Sequence, residues 1–215
     1  MVERWLGQFD GAQTRKSYLG DLRSFFHWAD EEELIPYDPT SGIRAPKVPK
    51  RTPTPLTRGE VLDVFAACAC EQDFLAVGLG VYAGLRVSEM AHLEYRDIDL
   101  IGQVLTVRQG KGGKDRVVPV NDELCSIILA CGHTLDCDTG PAASKRIKRI
   151  FKRAGVTGHR PHDLRATFAT MMIRAKVDVF TVQSCLGHAS VETTQRYVLP
   201  DDRGHELVNR LSFAA

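Results

Sequence analysis

His162-Asp163-Leu164-Arg165 directly follows Pro161. Proline is favoured in the first turn of a helix, so a helix is expected to open here. The i, i+3 spacing then puts the imidazole and the guanidinium on one face of that turn, where backbone N–H groups and the helix dipole attract an anion. Many unrelated helices carry such a pair, and alone it assigns nothing. Arg86 sits in Gly84-Leu85-Arg86-Val87-Ser88-Glu89, just after a glycine that should break a helical run. A surface salt bridge is its ordinary explanation. Leu186-Gly187-His188 has the form of a helix end with glycine at the cap, which leaves His188 at a turn. Ser190 is placed to cap a following helix that carries Tyr197. A tyrosine on a terminal helix is more often a packing residue.

One chemistry that uses residues of these types is that of a phosphodiester. Without a metal, such chemistry needs cations against the non-bridging oxygens, a nucleophile, and an acid for the leaving oxygen. Arginine is the best cation, because its planar fork donates two hydrogen bonds to one phosphate and does not deprotonate. The Asp and Glu residues are dispersed and form no evident paired-carboxylate site for Mg²⁺. No metal and no other cofactor is expected.

The 215 residues allow one good-sized domain and a small appendage. No apolar run approaches the roughly 20 residues that span a bilayer, and Met1-Val2-Glu3-Arg4-Trp5 lacks a signal pattern. A chain that stays in the cytoplasm, away from any membrane, is expected. Cys68, Cys70, Cys125, Cys131, Cys137 and Cys185 lack the spacing of a disulfide framework and read as reduced thiols. Cys131-Gly132-His133 with Cys137 has the look of half a zinc site, but no Cys-x-x-Cys accompanies it, and a turn between two helices is preferred. The net charge is only +1, so any polyanion partner must meet clustered rather than overall positive charge.

Those clusters have places. Tyr18, Leu22, Phe25, Phe26 and Ala29 recur at helical spacing and predict an apolar face near the N-terminus. Between Pro36 and Pro55 six prolines predict extended backbone, and Arg44, Lys47, Lys50 and Arg51 make it basic. A cationic strap around a duplex and a plain solvated linker explain that stretch equally well. Thr57 with Glu60 reads as a capping box, with Leu56 and Val61 as a hydrophobic staple, so a new domain starts there. Helical patterns run to Ala83 and resume around Val87–Leu93. Gln103–Gln109 and Asp115–Val120 read as strands joined by Gly110-Lys111-Gly112-Gly113-Lys114, and helices follow. In one of them Ile147, Ile150, Phe151 and Ala154 face one way. Lys145, Arg146, Lys148, Arg149, Lys152 and Arg153 cover the rest, a basic row of the kind that meets phosphates.

In order, Gly-Leu-Arg-x-Ser-Glu, Gly-Lys-Gly-x-Lys, His-x-x-Arg, Leu-Gly-His and a downstream Tyr closely resemble the tyrosine recombinase (phage integrase) family, from about Thr57 to the end. The resemblance implies a mainly α fold with a small antiparallel β-sheet (α+β). Its catalytic domain would span residues 56–215, behind a Pro-rich basic linker at 46–55 and a partial helical core-binding, DNA-clamping segment at 1–45. It implies a site of Arg86, Lys111, His162, Arg165, His188 and the nucleophile Tyr197. In such enzymes the tyrosine attacks the scissile phosphate and leaves a 3′-phosphotyrosyl link. Arg86 and Arg165 would hold the phosphate, and His188 would donate to a non-bridging oxygen. His162 would take the tyrosine proton, and Lys111, with Lys114 as local rival, would protonate the departing 5′-oxygen. Double-stranded DNA is the implied partner, bound by a homotetramer on two sites, with bending or directionality factors as possible accessories and the nucleoid as location. The family's terminal segment commonly docks on a neighbouring protomer, and Leu207, Val208, Leu211 and Phe213 offer an apolar stripe for that, or for docking on their own domain. About two helices precede the linker, fewer than the family's usual clamp. The chain therefore reads as a minimal recombinase, a truncated product or a fragment. Two rivals remain: a type IB topoisomerase with similar chemistry, and a non-catalytic DNA-binding regulator.

Overall fold

The computed structural model describes residues 1–49, 53–108, 115–132 and 139–187. The chain divides into two compact units, Met1–Arg51 and Thr52–Ala215. In the first, α1 (Val2–Leu6) packs on α2 (Ala12–Glu31). Leu6, Leu19 and Ala29 are buried there, and Trp5, Phe9 and Tyr18 stand ring against ring at 4.7 to 5.5 Å. The buried stripe of α2 differs from the expected one. It follows Leu19, Leu22, Phe26 and Ala29, whereas Tyr18 and Phe25 are 38% and 55% exposed. Each lies one residue, about 100°, off the stripe's centre, and the five-residue α1 covers only a narrow strip.

The second unit contains α3 (Arg58–Ala66), α4 (Glu71–Tyr82), α5 (Val87–Met90), a 3-10 turn at Tyr95–Asp97, and three short strands, β1 (Ile98–Asp99), β2 (Val104–Val107) and β3 (Arg116–Pro119). Then follow α6 (Asp122–Ala130), α7 (Gly140–Arg153), α8 (Pro161–Arg174) and α9 (Val179–Leu186). This is the mainly α architecture with a small antiparallel sheet that the sequence implies. Among the described residues no helix is long and apolar enough to cross a membrane.

Local chemistry explains the start of the unit. Thr57 Oγ1 accepts from Glu60 N at 3.2 Å, and Glu60 Oε2 accepts from Thr57 N at 2.8 Å, so two helix-end donors are satisfied reciprocally. Leu56 is buried, and Val61 packs against the same core. At the centre lies α4, apolar on every side beyond its first turn, as a helix segment buried all round must be. Every residue from Leu75 to Val81 is buried, and α3, α6, α7 and α8 surround it. The sheet runs β1-β2-β3 with antiparallel pairs, and Leu105 opposite Val118 turns inward. β1 escapes the sequence because two residues carry no periodicity.

One buried charge holds α7 to α4. Asp73, in the first turn of α4, accepts from Ala69 N at 3.1 Å, from Arg146 Nη1 at 3.0 Å, and from Arg153 Nη2. Burial alone would raise its pKa; the bonds from Arg153, Ala69 and Arg146 hold it below the usual range instead. Removing the anion leaves cations facing an uncharged site. Asp73→Ala should lower unfolding free energy by about 2–3 kcal/mol, less than a fully buried pair because Arg153 is half exposed, which urea denaturation will read.

Candidate active site

The turn after α4 decides where Arg86 goes. Gly84 has φ +62°, and a Cβ there would meet Phe168 Cδ1 at 2.4 Å, so only glycine fits. The chain then delivers Arg86 to the position that precedes α5. Glu89, in the first turn of α5, accepts from Arg86 N at 2.8 Å and from Arg86 Nη1 at 2.6 Å. One carboxylate thereby fixes both backbone and side chain of Arg86. The salt bridge suspected from sequence is real, but it is internal: the Glu89 side chain is 8% exposed.

Two more guanidiniums reach the same carboxylate. Arg116, the first residue of β3, donates through Nη1 to Oε1 at 2.9 Å and through Nη2 to Oε2 at 2.8 Å, a bidentate fork. Arg165 brings Nη1 within 3.7 Å of Oε2. It is itself buried, and donates to Gly84 O at 2.6 Å and to Leu186 O, tying the α4 turn to the end of α9. Three guanidiniums around one carboxylate leave a strong positive excess. Burial would raise the Glu89 pKa, but hydrogen bonds from Arg116 and the Arg86 amide, with the charges of both arginines, hold it at about 2.

Pro161 occupies the first turn of α8, as expected, and Asp163 Oδ2 accepts from Arg160 N at 2.8 Å to close that turn. His162 there keeps one side open to water and has the other against protein. Its pKa is pushed below the usual 6.5, first by displaced water and then by the charges of Arg165 and Arg86. An imidazole neutral at pH 7 can accept a proton. Of the six site residues implied by sequence, Arg86, His162 and Arg165 thus fall together. Lys111, His188 and Tyr197 lie outside the described residues, as do Lys114, Lys50, Arg51 and the apolar tail. The α9 end is as expected: Gly187 is left-handed at φ +60°. Glu89 and Arg116 had been given no role. Glu89 carries a local signal, an acid three residues after Arg86, like Glu60 after Thr57. Arg116 carries none, because its partners are remote in sequence.

The basic row of α7 divides. Arg146 and Arg153 turn to Asp73, a structural role the sequence did not reveal. Lys145, Lys148, Arg149 and Lys152 are exposed, and the first three, with Ala142, line a shallow groove of about 450 Å³. Lys47 is exposed in the irregular segment of the first unit. Among the described residues no group of three His, Cys, Asp or Glu is placed to hold a metal ion; His133 and Cys137 lie outside them.

A sequence model described as the phage integrase family matches residues 56–131 and 140–203. The chain belongs to the phage integrase family. It is 32% identical over 221 residues to a tyrosine recombinase of Thermosipho africanus, covering 95% of this chain and 78% of the relative. The crystal structure of XerA recombinase is 25% identical with a TM-score of 0.64, covering 97% of this chain and 81% of that one. A lambda integrase dimer bound to a COC' core site shares the fold at 24% identity and a TM-score of 0.75, covering 94% and 79%. These likenesses make the protein a site-specific tyrosine recombinase, and the cluster at Glu89 lies inside its family-matched region.

The cluster has a pH signature. Glu89 sits at about 2 instead of the ordinary 4.5. A depressed carboxyl pKa contributes stability above the unfolded value, lost as pH falls from about 4.5 toward 2. Glu89→Gln should remove on the order of 3 kcal/mol of that acid-sensitive stability. Denaturant titrations across this window should show a steep pH dependence in the native protein and a shallower one in the variant; equal slopes would reject the assignment.

Proposed function

We propose that this recombinase cuts and rejoins double-stranded DNA through a 3′-phosphotyrosyl link to Tyr197, without a metal ion and without ATP. The observation that carries the reading is the meeting of Arg86, Arg165 and His162 from distant parts of the sequence at one cationic centre. The two guanidiniums offset charge on the pentacoordinate phosphorus, the kind of preorganised stabilisation that often dominates catalysis. The Tyr197 oxygen forms the new bond to phosphorus as the bond to the 5′-oxygen breaks. The phenolic proton passes to His162, since a phenol with an ordinary pKa near 10 attacks poorly unaided. Lys111 gives a proton to the leaving 5′-oxygen, with Lys114 second in rank, and His188 donates to a non-bridging oxygen. One phosphodiester is exchanged for another, so resealing needs no external energy.

DNA binding is supported by the exposed lysines and arginine of α7 and by the fold shared with a core-site-bound integrase. In this reading residues 1–45 are a partial clamp, 46–55 a basic linker and 56–215 the catalytic domain. A homotetramer on two sites would perform the exchange, with accessory factors where a site requires bending.

A nicked suicide substrate tests the chemistry in EDTA and without nucleotide. The full chain should form a protein–DNA adduct that survives denaturation. Tyr197→Phe should lower its formation at least about a thousandfold, and Arg86→Ala about 10²–10³-fold, while both still bind duplex. An adduct retained by the Phe variant would remove Tyr197 from its role. Binding without any adduct would favour a regulator, and supercoil relaxation without partner exchange a topoisomerase.

A further inference from the structure

We propose that Arg116 is a positioning residue of the recombination site, locking strand β3 to Glu89 and to the Cys185 carbonyl in the last turn of α9. This rests on the cleavage reading above. The Arg116 side chain is 8% exposed and uses all three of its nitrogens at once: Nη1 and Nη2 grip Glu89, and Nε donates to Cys185 O at 2.8 Å. It therefore spans three elements. β3 is the strand that follows residues 109–114, which include Lys111. Glu89 holds Arg86. Cys185 lies in the last turn of α9, two residues before the left-handed Gly187 after which His188 follows in sequence.

The surroundings are shaped for this guanidinium. A Cβ at Gly187 would meet Arg116 Cδ at 2.9 Å, Nη1 at 3.2 Å and Nε at 3.3 Å. Glycine at that turn thus serves two demands, the positive φ and the passage of the Arg116 side chain. Leu186 O, the next carbonyl along, is held by Arg165. Two arginines on different elements therefore fix consecutive carbonyls at the end of α9, and both face Glu89. Lysine cannot replace the fork, because one ammonium cannot reach both carboxylate oxygens and the Cys185 carbonyl in fixed directions.

The groups around Glu89 are Arg86 on its own segment, Arg116 from β3, and Arg165 and His162 from α8. Loss of the Arg116 fork leaves the phosphate-holding candidates in place but frees their carboxylate and the α9 end to shift. Small displacements of this kind slow chemistry more than binding.

The test uses the full chain with Arg116→Lys and Arg116→Met. Single-turnover cleavage of the suicide substrate should slow about 10–100-fold in Arg116→Lys, with duplex affinity within about threefold of the parent. The final adduct yield should be kept, since a purely structural role would lower the yield and leave the rate of the folded fraction unchanged. Amide exchange across Val179–Gly187 should rise about fivefold in the lysine variant while Asp122–Ala130 keeps its protection. If Arg116→Met does not fold, the lysine variant decides. Parent-like cleavage rates and exchange in Arg116→Lys overturn the assignment alone, whereas a parent chain that forms no adduct overturns it together with the cleavage reading.

Discussion

Guanidiniums repel one another, and burying several side by side needs an anion between them. In this molecule the anion is Glu89, which receives the fork of Arg116, the end of Arg86 and the near approach of Arg165. Its carboxylate is nearly enclosed, yet the bonds it accepts keep it ionised far into acid. The arrangement neutralises only part of the positive charge. Partial neutralisation suits a phosphate site, since the cations are held in place and a net attraction for an anion survives.

The fold can be understood as the means of bringing those side chains to one carboxylate. The buried α4 supplies an axis, and Gly84 ends it with a turn that only glycine can make. α8 lies along α4 and passes Arg165 to that turn. The sheet packs against α9, so that the first residue of β3 meets the Cys185 carbonyl in its last turn. A second ionic knot on α4 works in the opposite sense. Asp73 gathers Arg146 and Arg153 to fasten α7 and leaves the exposed cations of that helix facing water.

What was legible in the sequence was mainly local. The Thr57–Glu60 box, the proline that opens α8, the glycine that closes α9 and the two-faced α7 all depend on residues within a turn or two. The order of motifs singled out Arg86, His162 and Arg165, which the fold brings together. Contacts made across distance were not legible. Arg116 meets partners 27 and 69 residues away, and Arg146 looked like one more phosphate-facing cation until Asp73, 73 residues away, claimed it. The α2 stripe was misplaced by one residue at Tyr18 and Phe25, because apolar periodicity cannot say how wide a strip the neighbouring helix covers.

Arg165 joins the Gly84 turn to the α9 end from a position with almost no contact with water. The same guanidinium is therefore a rivet of the architecture as well as a candidate for chemistry. Selection for nothing more than a well-folded polypeptide would already preserve it. A descendant that had abandoned DNA cleavage could carry this arginine for a long time, so its retention in a homologue attests to the scaffold before it attests to an active enzyme.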